Sequence, residues 1–140
     1  MSWVSKASIE IYTDGAYSQS RNKGGYSFIV MIDSKPSIKY HRSITDATNQ
    51  VAEMMALIAA FNYIYNKDIR CSVFTDSMYC IGGLTMNWNK NANIKLWDKL
   101  TKAYNRVKNH IELKHVRGHH GILGNEIADM LAVIASEANG

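Results

Sequence analysis

This 140-residue chain is poor in the features that mark whole classes of protein. It has a single proline, Pro36, and no Pro-, Gly- or Ser-rich tract, which excludes a linker-dominated or low-complexity architecture. Its two cysteines, Cys71 and Cys80, form no CxxC or histidine-linked spacing. A disulfide scaffold and a thiolate zinc site are therefore excluded, and two inert thiols in a reduced, cytoplasmic setting are expected. No stretch approaches the roughly 18 to 20 consecutive apolar residues that a membrane-spanning helix requires. The first residues, MSWVSKAS, lack the apolar run and small-residue cleavage site of a secretion signal. There is no internal repeat.

What is present suits one globular domain over residues 1–140, with 46% apolar and 20% charged residues and a net charge of +4. The charge is unevenly spread. Residues 84–117 carry eight Lys or Arg against Asp98 and Glu112, so the remainder of the chain is net acidic. A basic segment beside an acidic one is what a metal-using binder of phosphate backbones needs, although a solvated helix face would look the same.

Periodicity predicts a strand over residues 8–13, turning at Asp14-Gly15, and a second strand over 26–32 after Gly24-Gly25. Pro36 is expected in a turn before a third strand, SIKYHRSI. A long helix follows over residues 50–65, with Thr48 or Asn49 as its cap. A strand over 70–75, a short helix over 78–84, a helix over 93–109 and a strand over 111–116 come next. The glycine-bracketed loop RGHHGILG leads to a last helix over about 125–136. That order predicts an α/β domain in which helices cover a mixed sheet.

Four carboxylates lie at the edges of apolar segments: Asp14 in YTDGA, Glu53 in TNQVAEMMAL, Asp76 in FTDSMY and Asp129 in GNEIAD. Each has an ordinary explanation: a turn for Asp14, a helix cap for Asp76, a surface helix acid for Glu53, and a helix-dipole acid for Asp129. One shared site accounts for all four, provided that a cation compensates their repulsion. Hard oxygen ligands without cysteine favour two Mg²⁺ ions, with Mn²⁺ as a substitute. Two ions about 4 Å apart suit in-line phosphodiester hydrolysis. His110 and His115 fit packing or surface roles rather than a zinc site.

With these segments in this order, and with VRGHHGILGNEIAD closing the chain, the sequence resembles type 1 ribonuclease H over about residues 8–136. The resemblance implies a five-stranded mixed sheet flanked by helices, and cleavage of the RNA strand of RNA/DNA hybrids to 5′-phosphate and 3′-hydroxyl ends. It makes Asp14, Glu53, Asp76 and Asp129 the metal-binding catalytic acids. His119 becomes the mobile-loop histidine, in preference to His120. Asn49, Gln50 and Asn125 become contacts to the RNA strand, and Gly15, beside the first acid, a further nucleic-acid contact.

Three departures from the family pattern stand out. Met78 replaces a common glutamine, and YSQSRNK replaces a Gly- and Pro-rich turn. TMNWNKNANIKLW is too short for the extra helix and basic loop of many bacterial members. Lys90, Lys95 and Lys99 are candidates to take over that loop's phosphate contacts, and Trp88 to stack on the DNA strand. The rival readings are another nuclease of the wider fold, a silent hybrid-binding module, and a domain of a reverse transcriptase. The TNQxxE and GHH…NExxAD patterns, four intact acids, the start at Met1 and the complete final helix favour a stand-alone hybrid-cutting enzyme, with a monomer as the default for so compact a form and no obligate protein partner indicated.

Overall fold

The computed structural model describes residues 7–117 and 121–138. Strands β1 (Ile9–Ser18), β2 (Lys23–Ile32) and β3 (Lys35–Thr45) form an antiparallel meander. Helix α1 (Asn49–Ile64) carries the chain across to β4 (Cys71–Thr75), which lies parallel to β1. Helices α2 (Met78–Thr85) and α3 (Ile94–Val107) then lead to β5 (Ile111–His115), parallel to β4, and α4 (Leu123–Glu137) closes the domain. The sheet order is β3-β2-β1-β4-β5.

The expected mixed sheet of five strands is thus present, and the physical reasons are local. β2 reads as a nearly continuous apolar run because helices cover both of its faces, and eight of its ten residues are buried. α1 is capped by Thr48, whose hydroxyl accepts from the Val51 amide at 3.1 Å. One face of the sheet packs Ile11, Phe28, Val30 and Val73 against Met54, Leu57 and Phe61 of α1 and Trp97 and Leu100 of α3. The other face packs Tyr12, Ile29 and Met31 against Ala128 of α4. Among the described residues, no helix is long and apolar enough to cross a membrane.

Three local expectations are corrected. Asp14-Gly15 is no turn: β1 runs on to Ser18, because Asp14 and Gly15 pair with Ser27 and Tyr26 of β2. Pro36 lies inside β3, where a register shift between Val30 and Met31 and an edge position accommodate its missing N–H. α4 begins at Leu123, two residues before Asn125, so Asp129 sits in its second turn. Between α2 and α3 the chain runs from Met86 to Asn93 without a helix, as its shortness implied.

Candidate active site

Parallel pairing aligns Glu10 with Ser72, Ile11 with Val73 and Tyr12 with Phe74. Continued at the same offset, that register brings Asp14 level with Asp76, just where β4 ends. The end of β4 is held by the Thr13 hydroxyl, which donates to the Phe74 carbonyl at 2.8 Å. Asp76 does not cap α2. Ser77 does so, with its hydroxyl accepting from the Cys80 amide at 3.1 Å, and Asp76 is left free and exposed.

Glu53 arrives from α1, which crosses β1 closely at Gly15. A Cβ at that glycine would lie 2.6 Å from the Ala52 carbonyl carbon and from the Glu53 amide nitrogen. Only a residue without a side chain lets α1 come this near. Asp129 is delivered by α4, which packs as tightly on β2: a Cβ on Gly25 would collide with the Ala132 carbonyl and the Ala135 methyl. The Ser27 hydroxyl donates to the Ala128 carbonyl at 2.6 Å and fixes the turn of α4 that carries Asp129.

Carboxylate oxygens of Asp14, Glu53 and Asp76 all lie within 4.8 Å of one another. Asp129 lies outside that tight group but lines the same pocket of about 130 Å³, together with Gly15, Asn49 and Asn125. Asp14 and Glu53 are each 6% exposed, whereas Asp76 and Asp129 open to solvent at the mouth. Burial foremost, then the Asp76 charge and contact with Asp129, push the Asp14 carboxyl up to about 8, against the opposing pull of the Gly15 amide. Burial and then the charge of Asp14 push Glu53 up to about 11.

Glu53 Oε1 is buried without any hydrogen-bond partner. No ion pair of a described residue involves these four acids. An orphaned, buried carboxylate oxygen beside two further carboxylates fits a hard divalent cation, and no described histidine or cysteine belongs to the group.

The remaining candidates divide. Gly15, Asn49 and Asn125 join the acids. Gln50 is exposed at the start of α1 and does not line the pocket. Trp88 packs its ring over Gly82 of α2 and stays 46% exposed, a rim position. Lys90 lies 5.2 Å above the Trp97 ring, and Lys99 lines a separate groove between α1 and α3 with Asn62 and Arg106. Lys95 is exposed on α3. His119 and His120 lie outside the described residues. Cys71 and Cys80 are free and buried, and burial pushes their thiols up to about 11 and about 12, which keeps them protonated.

Sequence reading missed the residues that hold the acids in place. Ser27 and Thr13 are buried hydroxyls within apolar strands, a pattern that signals an internal bond without saying to what. The departing YSQSRNK segment also has a role. The Tyr17 hydroxyl bonds Asn22 and accepts from the Ala47 amide at 3.0 Å, while Asn22 Oδ1 accepts from the Asp46 amide at 3.0 Å. That hairpin therefore fixes the entry to α1 and hence Asn49 and Glu53.

Carboxylates drawn from three separate elements to one notch where the sheet's central strands part, with a cation as their natural counter-charge, mark the class of metal-dependent phosphodiester-cleaving enzymes. Comparison with known proteins narrows the class. The family described as RNase H matches residues 6–137. The ribonuclease H of Trichodesmium erythraeum is 33% identical over 144 residues, covering 94% of this chain and 90% of that protein. The ribonuclease H of Bartonella bacilliformis is 35% identical over 139 residues, covering 89% and 86% respectively. The crystal structure of RNase H1 from the halophilic archaeon Halobacterium salinarum superposes with a TM-score of 0.70 at 27% identity, over 91% of this chain and 96% of that one. The chain belongs to the ribonuclease H family, and with the family's acidic cluster in place it is a metal-dependent nuclease.

Proposed function

We propose that the protein hydrolyses internal phosphodiester bonds of the RNA strand in RNA/DNA hybrids, with Mg²⁺ as its natural metal and Mn²⁺ as a substitute. The observation that carries the reading is the buried Asp14–Glu53 pair beside Asp76, carboxyls that burial keeps protonated and that a cation would let ionise together. Asp14, Glu53 and Asp76, with Asp129 at the mouth of the same pocket, would hold the ions. When bound, such ions supply a nucleophile from water at neutral pH and stabilise the departing 3′-oxygen.

The chain's own residues do the rest. The Gly15 amide, donating to Asp14 Oδ1 at 2.9 Å, orients that carboxylate. Asn49 and Asn125 sit beside the acids, where an amide can both donate to and accept from a 2′-hydroxyl, the group that distinguishes RNA from DNA. Gln50, at the exposed start of α1, is assigned to the same groove of the duplex. Lys90, Lys95, Lys99 and the rim indole of Trp88 are assigned to the DNA strand, through phosphate attraction and stacking. His119 is assigned to proton transfer or product departure, a task suited to an imidazole that titrates near neutrality. Two free, buried thiols support a reducing, cytoplasmic setting.

The test is a strand-labelled RNA/DNA hybrid incubated with Mg²⁺ beside RNA and DNA duplex controls. Cutting confined to the RNA strand of the hybrid, and lost in Asp14→Asn, is expected. A folded wild type that bound the hybrid yet cut nothing in Mg²⁺ or Mn²⁺ would reduce the protein to a binding module.

A further inference from the structure

Tyr17 stands in the segment that replaces the Gly- and Pro-rich turn, and its surroundings give that departure a purpose. Its ring lies on Gly24, its cross-strand partner, where an added Cβ would collide with the ring. From that seat the hydroxyl reaches the segment joining β3 to α1. It donates to Asn22 Oδ1 and accepts from the Ala47 amide at 3.0 Å. Asn22 Oδ1 also accepts from the Asp46 amide at 3.0 Å. Asn22 and Asp46 are both left-handed, with φ of 50° and 57°, so each chain segment bends sharply where the other holds it. Two successive amides just ahead of α1 are thus tied to the β1–β2 hairpin.

What the tie governs follows from what else holds α1. From Ala52 onward the helix is buried against the sheet, and Glu53 has its own anchor in the close approach at Gly15. Asn49 and Gln50, in the first turn, are exposed. Their place is set by the Thr48 cap and by the two tied amides before it. Of the two, Asn49 lines the acid pocket and Gln50 does not. Loosening the tie therefore moves Asn49 while Glu53 stays on its glycine.

We propose that Tyr17 is a specificity-determining positioning residue, whose hydroxyl holds Asn49 against the 2′-hydroxyl and so sets the preference for RNA over DNA in the strand that is cut. Resting on the RNA-strand reading above, this divides the site between two devices: Gly15 places the acids, and Tyr17 places the amide that recognises the sugar. An amide tells a hydroxyl from a hydrogen only when it is held in line and within reach, because hydrogen bonds weaken steeply with misalignment. Tyr17→Phe removes the hydroxyl and leaves the ring on Gly24, so it loosens Asn49 with little disturbance to the hairpin.

Steady-state cleavage in Mg²⁺ tests this, using an all-ribonucleotide strand paired with DNA and a series carrying one 2′-deoxy substitution at successive positions near the cut. One position should cost the wild type most of its kcat/KM. Tyr17→Phe should raise KM about 3- to 10-fold, the loss of roughly one hydrogen bond, with kcat held within about twofold. It should also lose most of the wild type's sensitivity to that 2′-deoxy substitution. Asn49→Ala should do the same, and Tyr17→Phe added to it should change nothing further, because both act on one contact. Asn22→Gly suits the left-handed φ and removes the shared oxygen, so it should reproduce the loss even if Tyr17→Phe melts too early to assay. Additive effects of Tyr17→Phe and Asn49→Ala overturn the proposal, as does a fall in kcat with KM and 2′-deoxy sensitivity unchanged. A wild type that cuts no hybrid sinks the RNA-strand reading and the proposal with it. A wild type that cuts hybrids, with Tyr17→Phe and Asn22→Gly discriminating as it does, overturns the proposal alone.

Discussion

Asp14→Asn should abolish catalysis and at the same time stabilise the metal-free fold. Asp14 is 6% exposed, faces the charges of Asp76 and Asp129, and has its carboxyl pushed from 3.8 up to about 8. A carboxyl that binds its proton more tightly when folded favours the folded state at low pH. That advantage is complete below the ordinary value of 3.8 and is lost as pH rises toward 8. Near pH 7, holding the proton against its ordinary affinity costs at most about 4 kcal/mol, at about 1.4 kcal/mol per tenfold. Water at the pocket mouth screens much of this, which leaves on the order of 1–2 kcal/mol. Asparagine keeps the oxygen that accepts from the Gly15 amide and presents an N–H₂ to the remaining carboxylates, so little offsets the gain.

For a chain of this length, the gain corresponds to a rise of roughly 3–10 °C in melting temperature. The assay is thermal unfolding of both proteins in EDTA at pH 5, 6, 7 and 8. The Asn variant should lead by a margin that widens with pH, and saturating Mg²⁺ should close the gap by stabilising only the wild type. A variant no more stable than wild type at pH 8, or a margin independent of pH, would refute an uncompensated carboxylate cluster.

Other consequences are as direct. Ser27→Ala removes the 2.6 Å bond to the Ala128 carbonyl and leaves that oxygen buried; a loss of about 1–3 kcal/mol in urea unfolding is expected, with weaker cleavage because Asp129 is less firmly held. Gly15→Ala forces a methyl into the backbone of α1 at Ala52 and Glu53. It should cost about 1–3 kcal/mol and lower kcat by displacing Glu53, both readable in one purified variant. Thr48→Ala should remove the N-cap of α1 for about 1 kcal/mol, seen as faster amide exchange at Val51. Glu53→Gln should weaken Mg²⁺ binding by calorimetry while raising metal-free stability, because an amide holds no proton against its ordinary affinity.

Most of the element order was legible in the chain, because it depends on patterns that short segments carry themselves. The helical period of QVAEMMALIAAFNYIY, its Thr48 cap and the alternation of IELKH do not depend on distant residues. The four acids were legible for a related reason: a carboxylate beside an apolar run needs an explanation wherever the run ends up. Asp14 shows where this stops. TDG reads locally as a turn, yet ten successive pairings with β2 hold β1 extended through it, and those partners are supplied from a distance along the chain. Pro36 enters a strand because β3 lies at the sheet's edge. Nothing in TNQVAE tells that Glu53 is buried with an unpartnered oxygen, since Gly15 of another element permits that depth. Leu123, Met130 and Ile134 would pass for core residues in any window, and only the packing of the opposite face of α4 on the sheet leaves them outside. Sequence by itself determined which segments are helices and strands and which acids were candidates for one site. Tertiary structure alone decided how deep each acid lies and which apolar face stays bare, because burial is a property of what comes to rest opposite a residue.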